Sequence, residues 1–510
     1  MEEAHVDLEP GSEWRFELEA DENVAVRVHS PDPVYINGEE LPPTTWYPLY
    51  RYTKGAIYAP TAARIEVTSL PASQYTSTST IQPHLHSLHL ALERLRILAR
   101  RGNERGPRVM FLGPPSSGKT TVAKSLVNMA LGTGLGWNVA VAGLDPNSPA
   151  NLIPGTLSLS TPTHPLPSHH LAHPFGAPPA SLPSNTQSAD VPTLGWWYGA
   201  LEPTSRGTPI WHKLVACMAE AWRARCAEDP NVSHSGLFID APSSFANPAT
   251  GQTKEDRSRY PLLRAAVESF DVDLVIVIGL EKLTIELQRL LPQSVKVVQL
   301  PKSGGVVDVD DAHRELVHAA QVRNYFYGEP SLPSQLSGLV GRTTPLGLQL
   351  SPHSFQIGWD TLHVLRVGEG SAAPSSALPL GSSHILSPTR LTRVDPGGPA
   401  HVVRLLNTVL AIVAITPEDR VDKVETEVKV EVKEEVEGED VPDAVAGAVD
   451  LEEDEVPFRE EIGWREVLGF VVITAIDTQR KKYTILSPSP GRLPSTVALA
   501  GHGIEWVDSA

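Results

Sequence analysis

Val109-Met-Phe-Leu-Gly-Pro-Pro-Ser-Ser-Gly-Lys-Thr-Thr121 is the stretch on which the fold turns. Gly113, four further residues and then Gly118-Lys119-Thr120 give the Walker A spacing. The apolar run Val109 to Leu112 predicts a strand before the loop. Val122, Leu126, Met129 and Ala130 recur at helical spacing after it. Strand, glycine loop and helix are the context a phosphate cradle needs, and a chance glycine turn before a helix does not supply it. Gly113, Ser116, Ser117, Gly118 and Thr121 put backbone N–H groups and a helix N-terminus toward phosphate oxygens. Lys119 adds a positive charge, and the Thr120 hydroxyl can enter a magnesium shell. The expected ligand is a nucleoside triphosphate with Mg2+.

Working outward, the pattern becomes alternating strand and helix. Val139-Ala-Val-Ala-Gly-Leu, Gly236-Leu-Phe-Ile, Asp273-Leu-Val-Ile-Val-Ile-Gly and Val295-Lys-Val-Val-Gln-Leu are apolar runs between helical stretches. Such runs predict an α/β domain with a parallel sheet covered on both faces, over 83–328. Two acidic residues follow strands in it, Asp145 and Asp240. Both are expected at the carboxyl edge of the sheet, where one should serve the metal, and Asp145 is taken for it together with Thr120; the competing role for either is to cap the next turn.

Residues 1–82 alternate apolar and polar side chains, as in Trp14-Arg-Phe-Glu-Leu-Glu, with turn signals at Asn37-Gly38 and Pro42-Pro43. They predict a small β-sandwich-like domain. Leucines at helical spacing from Pro83 to Leu98 predict a helix into the P-loop strand. Strand patterns return after Gly328, so 329–510 read as a third, β-rich domain with some helix.

Two segments break these patterns. Ser160 to Pro192 is rich in Pro, Ser and His; His164, His169, His170 and His173 there lack acidic or cysteine partners and read as solvated rather than metal-binding. Residues 417–457 hold 17 Asp or Glu against 4 Lys or Arg, a local −13 out of a chain total of −18. That density predicts a disordered insert and leaves the folded body only mildly acidic, without the bulk charge of a nucleic-acid binder. Within it, Val428-Lys-Val-Glu and Val432-Lys-Glu-Glu fit the short pattern of SUMO attachment at Lys429 and Lys433.

Cys217 and Cys226 form neither a disulfide framework nor a zinc site and suit a reducing compartment. The first residues lack the basic and apolar regions of a signal peptide. Val402 to Ile415, the longest apolar stretch, is too short to span a bilayer. The expectation is a soluble intracellular protein.

Several blocks carry a family resemblance. Gly106-Pro-Arg-Val-Met, the P-loop, Leu144-Asp-Pro-Asn, Asn151-Leu-Ile-Pro-Gly-Thr, Leu300-Pro-Lys-Ser-Gly-Gly-Val-Val and Val322-Arg-Asn-Tyr-Phe-Tyr-Gly occur in this order, with Ser12-Glu-Trp-Arg-Phe-Glu before them. Together they resemble the polynucleotide 5′-hydroxyl kinase family, in the fungal-type branch that supplies the ATP-binding subunit of the pre-mRNA cleavage and polyadenylation machinery. The resemblance spans nearly the whole chain apart from the inserts. It implies three domains, ATP clasped between the first two, and adenine recognition by Glu13 and Lys54. It also implies a nuclear protein bound to other cleavage-factor subunits, including the one that binds the RNA polymerase II C-terminal domain, with any RNA contact indirect and no membrane.

Active RNA kinases of the family carry Thr-x-Gly-Trp after the strand ending here at Ile239, and the Trp clamps the RNA end. This chain has Asp240-Ala-Pro-Ser-Ser-Phe245 instead. Their lid arginine falls on Gln321 here, two residues before Arg323. A missing charge on the transferring phosphoryl group removes transition-state stabilisation. The expectation is therefore an ATP-binding scaffold with ATP as a structural ligand and little or no kinase activity. The rival is an active 5′-hydroxyl kinase with Lys119 and Asp145 as its catalytic residues; a switch-type NTPase is the third class.

Overall fold

The computed structural model describes residues 4–168, 174–176, 193–203, 208–248, 259–328, 333–340, 350–368, 389–394, 396, 405–421 and 456–505. The SUMO-type lysines Lys429 and Lys433, and His169, His170 and His173, lie outside these residues.

The N-terminal alternation folds as expected into a sandwich. Its strands are β1 Ala4–Leu8, β2 Ser12–Glu17, β3 Val24–Val28, β4 Tyr35–Ile36, β5 Glu39–Glu40, β6 Tyr47–Leu49, β7 Lys54–Ala59, β8 Ala63–Val67 and β9 Ser73–Ser77. One sheet has the order β1-β8-β3-β6 and the other β5-β4-β7-β2-β9. Trp14, Phe16, Val24, Val26, Ile57 and Ile65 fill the space between them. β2 departs from simple core-and-solvent alternation, because Glu13 and Arg15 on its outer face are buried too. That face is covered by the next domain.

The central domain follows through helix α1 Gln82–Gly102, then β10 Arg108–Leu112, α2 Lys119–Gly132, β11 Ala140–Gly143, β12 Thr156–Ser160, β13 Thr193–Trp197, α3 Thr208–Glu228, α4 Pro230–Ser235, β14 Leu237–Asp240, α5 Pro261–Phe270, β15 Leu274–Ile278, α6 Glu281–Leu290, β16 Lys296–Leu300 and α7 Asp311–Tyr327. The sheet order is β13-β12-β11-β14-β10-β15-β16. The parallel sheet expected from sequence holds from β11 to β16, but β12 and β13 join antiparallel, so the sheet is mixed. No helix intervenes between β11 and β12, and without a crossover the chain can only return antiparallel. Alternate residues serve opposite faces: Met110 and Leu112 pack with α3 and α5, whereas Val109 and Phe111 pack with α1 and α2.

The last strands are β17 His353–Gly358, β18 His363–Val367, β19 Leu391–Arg393, β20 Thr408–Val413, β21 Val467–Asp477, β22 Lys482–Ser487 and β23 Val497–Glu505. They form one sheet in the order β17-β22-β21-β20-β23-β18-β19. One face continues the core of the central domain, where Phe470 meets Tyr325 at 5.2 Å and Trp197 at 5.7 Å between ring centroids.

Parts of both inserts are packed into the fold. Leu166 and Phe175, inside the Pro/Ser/His segment, are buried against α2 and its neighbours. The acidic segment is corrected at both borders. Asp419 is buried and accepts hydrogen bonds from Thr416 N at 2.7 Å and from Arg465 Nη2 at 2.7 Å. Val421 N donates to Pro457 O at 3.2 Å, so the two ends of the insert pair with each other. An acidic side chain with an arginine and backbone donors is a folded element, whatever the composition around it. Among the described residues no helix is long and apolar enough to cross a membrane.

Candidate functional site

The P-loop adopts the geometry its glycines permit. Ser116 and Gly118 both have positive φ, +51° and +85°, and Gly118 leads directly into α2. The turn aims the first amides of α2 into a cavity of about 300 Å³. Ser116, Ser117, Gly118 and Thr121 line it from the P-loop side. The opposite wall is the outer face of β2 and β7 with Glu13, Arg15 and Lys54, and Tyr75 of β9 beside them. Ser303, Gly305, Val306 and Val309 close a third side.

Each wall is fixed by specific contacts. Arg15 donates through Nε to Glu13 Oε1 at 2.6 Å and through Nη2 to Ser79 O at 2.6 Å. Thr80 Oγ1 donates to the other Glu13 oxygen, Oε2, at 2.8 Å. Lys54 Nζ sits 2.6 Å from Glu17 Oε2. A Cβ on Gly305 would lie 2.6 Å from Arg15 Nε, so any larger residue here would require the Arg15 side chain to shift. Val309 N donates to Ser116 Oγ at 3.2 Å, joining the same loop to the P-loop.

The sandwich is docked on α2 by its Asn37-Gly38 turn. A Cβ on Gly38 would lie 2.4 Å from Ser125 O, and Asn128 Nδ2 donates to Asn37 O at 2.9 Å. Next to it, Lys124 Nζ donates to Pro167 O at 2.6 Å. Burial lowers its pKa, with the negative charge of Glu39 opposing that. Tyr47 OH and Ser168 N both donate to Glu39 Oε2, at 2.8 and 3.1 Å. A buried polar network of this kind tolerates little relative motion of the elements that share it.

At the phosphate end Lys119 is buried and folded over its own loop. Its Nζ donates to Gly113 O at 3.2 Å, Pro114 O at 3.1 Å and Ser243 Oγ at 3.0 Å. Desolvation lowers its pKa, while Asp240 and Asp145 act in the opposite sense. Thr120 Oγ1 donates to Asp240 Oδ2 at 2.6 Å. Of the two acidic candidates it is thus Asp240, not Asp145, that touches Thr120. Asp145 instead caps its own turn, accepting from Asn147 N at 3.0 Å. It lies close enough to raise the Asp240 pKa further.

Burial pushes Asp240 up to about 6, against the pull of Lys119 and the Thr120 hydroxyl. Its second oxygen, Oδ1, is buried without a hydrogen-bond partner among the described residues, as is Ser117 Oγ. Buried acceptors of this kind call for a ligand. Threonine hydroxyl and carboxylate oxygen are also the donor chemistry of a hard divalent cation at a P-loop. The residues present therefore fit a metal-bound nucleotide. No His, Cys, Asp or Glu cluster suited to holding a metal unaided occurs among the described residues.

The acceptor side is built differently. Phe245 lies in a short 3-10 turn, Ser243–Ala246, and is buried with its ring edge-to-face on Trp211 at 5.7 Å. Gln321, also buried, extends Nε2 toward Pro149 O at 3.4 Å. Neither presents a free aromatic face or a charge to the cavity. Arg323 stands 5.6 Å from the Tyr327 ring.

Sequence reasoning missed Arg15 and Tyr75 as wall residues and Ser243 as a partner of Lys119. Arg15 shares with Glu13 the outward face of a strand whose other face is core, and that alternation was the available signal.

Residues 7–99 match the N-terminal β-sandwich domain of a polyadenylation factor. Residues 113–328 match the P-loop region described as mRNA cleavage and polyadenylation factor CLP1, and 350–508 match pre-mRNA cleavage complex II protein Clp1. An mRNA cleavage and polyadenylation factor CLP1 of Cryptococcus neoformans is 60% identical, over 99% of this chain and 98% of its own. A polyribonucleotide 5′-hydroxyl-kinase Clp1 of Danio rerio is 29% identical, over 96% and 90%. A solved structure of Clp1p with Pcf11p has the same fold at TM-score 0.70 and 20% identity, covering 98% of this chain and 97% of that one. A second, from work on the Pcf11p interface and an ATP-loss point mutant, aligns at TM-score 0.72 and 20% identity over 98% of both chains. With whole-length identity at that level to the Cryptococcus protein, the chain belongs to the CLP1 family of mRNA cleavage and polyadenylation factors.

Proposed function

We propose that this chain holds ATP with Mg2+ as a structural ligand between its sandwich and its P-loop domain, and serves in that closed form as a scaffold subunit of the pre-mRNA 3′-end cleavage machinery. The carrying observation is that the cavity is walled by three separate chain segments, each fastened to another by partly buried polar or close steric contacts. A ligand that touches all three stabilises the arrangement by mass action.

The P-loop amides, Lys119 and Thr120 would take the phosphates and metal, with Asp240 adding a carboxylate and Asp145 a second negative charge nearby. Lys119 would exchange its carbonyl partners for phosphate oxygens. Glu13 and Lys54 would face the base, where a carboxylate accepts from the exocyclic amine. When bound, the cation neutralises phosphate charge. The partners would be other cleavage-factor subunits, including the one that binds the RNA polymerase II C-terminal domain, and the compartment would be the nucleus.

The rival reading, an active 5′-hydroxyl kinase, draws on the names of vertebrate relatives such as the Danio rerio protein. The buried positions of Phe245 and Gln321 weigh against it, because phosphoryl transfer depends on positioning and charge at the acceptor. Mass spectrometry of nucleotide released on denaturing the purified protein tests the proposal. Intact ATP at near one equivalent is expected; an empty protein would sink it. Labelled phosphate appearing on 5′-hydroxyl RNA would favour the kinase instead.

A further inference from the structure

After α7 the chain makes an excursion and comes back. It leaves at Tyr327, and Leu350 N returns to donate to Tyr327 O at 2.8 Å. The described middle of this excursion, residues 333–340, turns its buried apolar side chains to the N-terminal sandwich. Leu336 and Val340 are buried with Ala25 of β3 and Trp46 of the N-terminal sandwich, in a small cluster of their own. A helical turn sets the spacing: Val340 N donates to Leu336 O at 3.0 Å and Leu336 N to Pro333 O at 2.9 Å. Residues four apart on such a turn share one face, so both apolar side chains meet the sandwich together. Arg27 holds its guanidinium 4.5 Å from the Trp46 ring and is salt-bridged to the buried Glu66.

Helix α7 links this contact to the nucleotide cavity. The segment entering α7 carries Gly305, Val306 and Val309 on the cavity wall, with Gly305 against Arg15 of the sandwich. The segment leaving α7 carries Leu336 and Val340. The sandwich is therefore gripped from both ends of one helix. This second contact lies outside the cavity lining.

We propose that residues 333–340 are a strap that sets how long nucleotide stays in the cavity, by holding the sandwich closed from outside. This rests on the nucleotide reading above. Leu336 and Val340 bury apolar area against Ala25 and Trp46 in this arrangement; on the strap reading that burial is lost on opening, so removing them favours the open state. Release should then speed up without loss of any nucleotide-contacting group.

The test is release of labelled ATP chased by excess unlabelled ATP, from the full chain and from two variants, Leu336→Asp/Val340→Asp and the milder Leu336→Ala/Val340→Ala. Hydrogen exchange over residues 12–17, 24–28 and 47–59 is read in parallel. The strap predicts release about tenfold or more faster in the first variant and severalfold faster in the second. Exchange should rise near Val24–Val28 and stay low in β2 and β7. Release within about twofold of the parent in both variants overturns the proposal, since apolar burial of this size must otherwise register. Faster release together with exchange throughout β2 and β7 also overturns it, because the segment would then merely support the fold of the sandwich. A parent chain that retains no labelled ATP fails at the earlier step, the nucleotide reading itself.

Discussion

On one side of Lys119 lie the P-loop, Thr120, Asp240 and the sandwich wall; on the other lie the positions where an RNA 5′ end would be clamped. The first side keeps buried polar atoms in wait for a ligand, Asp240 Oδ1 and Ser117 Oγ among them. The second has turned its corresponding residues inward, with Phe245 on Trp211 and Gln321 against the Asn147–Pro149 turn. Binding and transfer are thus separable in one cavity. A phosphate cradle needs only one loop and one helix end, whereas transfer needs a second substrate held in line.

The strongest way to break this contrast is Lys119→Ala. It removes the cradle's positive charge, and nucleotide content after purification should fall to near zero. If ATP binds as proposed, the thermal stability gained with it goes too, about 3–4 kcal/mol for ligand at 100 to 1,000 times Kd. Unchanged nucleotide content, measured by chromatography of the denatured extract, would contradict the proposed site.

Gly38→Val attacks the docking of the sandwich rather than the cradle. Gly38 has φ +73° and its Cβ would sit 2.4 Å from Ser125 O. A cost of about 2–4 kcal/mol is expected from left-handed strain plus overpacking. Differential scanning calorimetry should show a lower midpoint with weaker ATP retention. Normal retention would mean that the α2 contact does not govern closure.

Asp240→Asn sharpens the contrast through pH. The folded pKa of Asp240 is raised to about 6, so the folded chain binds more protons than the unfolded chain above the ordinary Asp range. Stability of the nucleotide-free protein contributed by this group is therefore highest at low pH, and it falls as pH rises from about 4 through about 6. Asn carries no charge to bury. The nucleotide-free variant should be more stable than the parent at pH 7 by about 1–3 kcal/mol, with a flatter pH profile between 4 and 7. Its metal-dependent nucleotide affinity should nevertheless drop. Urea titrations at pH 4.5 and 7 check the first half and calorimetric titration of Mg-ATP the second; a variant less stable at pH 7 would contradict the buried-charge argument.

The smallest expected effect is on transfer. Restoring the missing residue types one by one, Phe245→Trp and Gln321→Arg, should leave labelled phosphate on 5′-hydroxyl RNA at background. Both positions are buried, so a larger ring overpacks against Trp211 and a guanidinium would be taken out of water without a paired charge. Multiple turnover in either variant would show that the acceptor side is only one substitution from function.

Local pattern carried much of this into the sequence. Gly113, Gly118, Lys119 and Thr120 are close in the chain, and a glycine loop between strand and helix folds as a cradle almost wherever it is placed. Period-two alternation announced the sandwich, and the apolar runs announced the five parallel strands. What the outer face of β2 touches was not legible. The resemblance gave Glu13 to adenine but did not single out Arg15, and only the packed structure shows the Gly304–Gly305 loop, nearly 300 residues away, lying against it. The sequence reading weighed Asp145 and Asp240 and put Asp145 with Thr120 at the metal. Both follow strands, and only the adjacency of β10, β11 and β14 shows which carboxylate meets Thr120. Composition likewise misjudged the ends of the acidic insert, because Asp419 answers to Arg465, far along the chain, as well as to nearby Thr416. Backbone geometry and nearest neighbours fix the period and the loop, so the sequence by itself determines them. Pairings such as Trp46 with Leu336, Gly38 with Ser125 and Phe245 with Trp211 join distant parts of the chain, and only the packed whole, where buried area and satisfied polar groups are settled together, decides them.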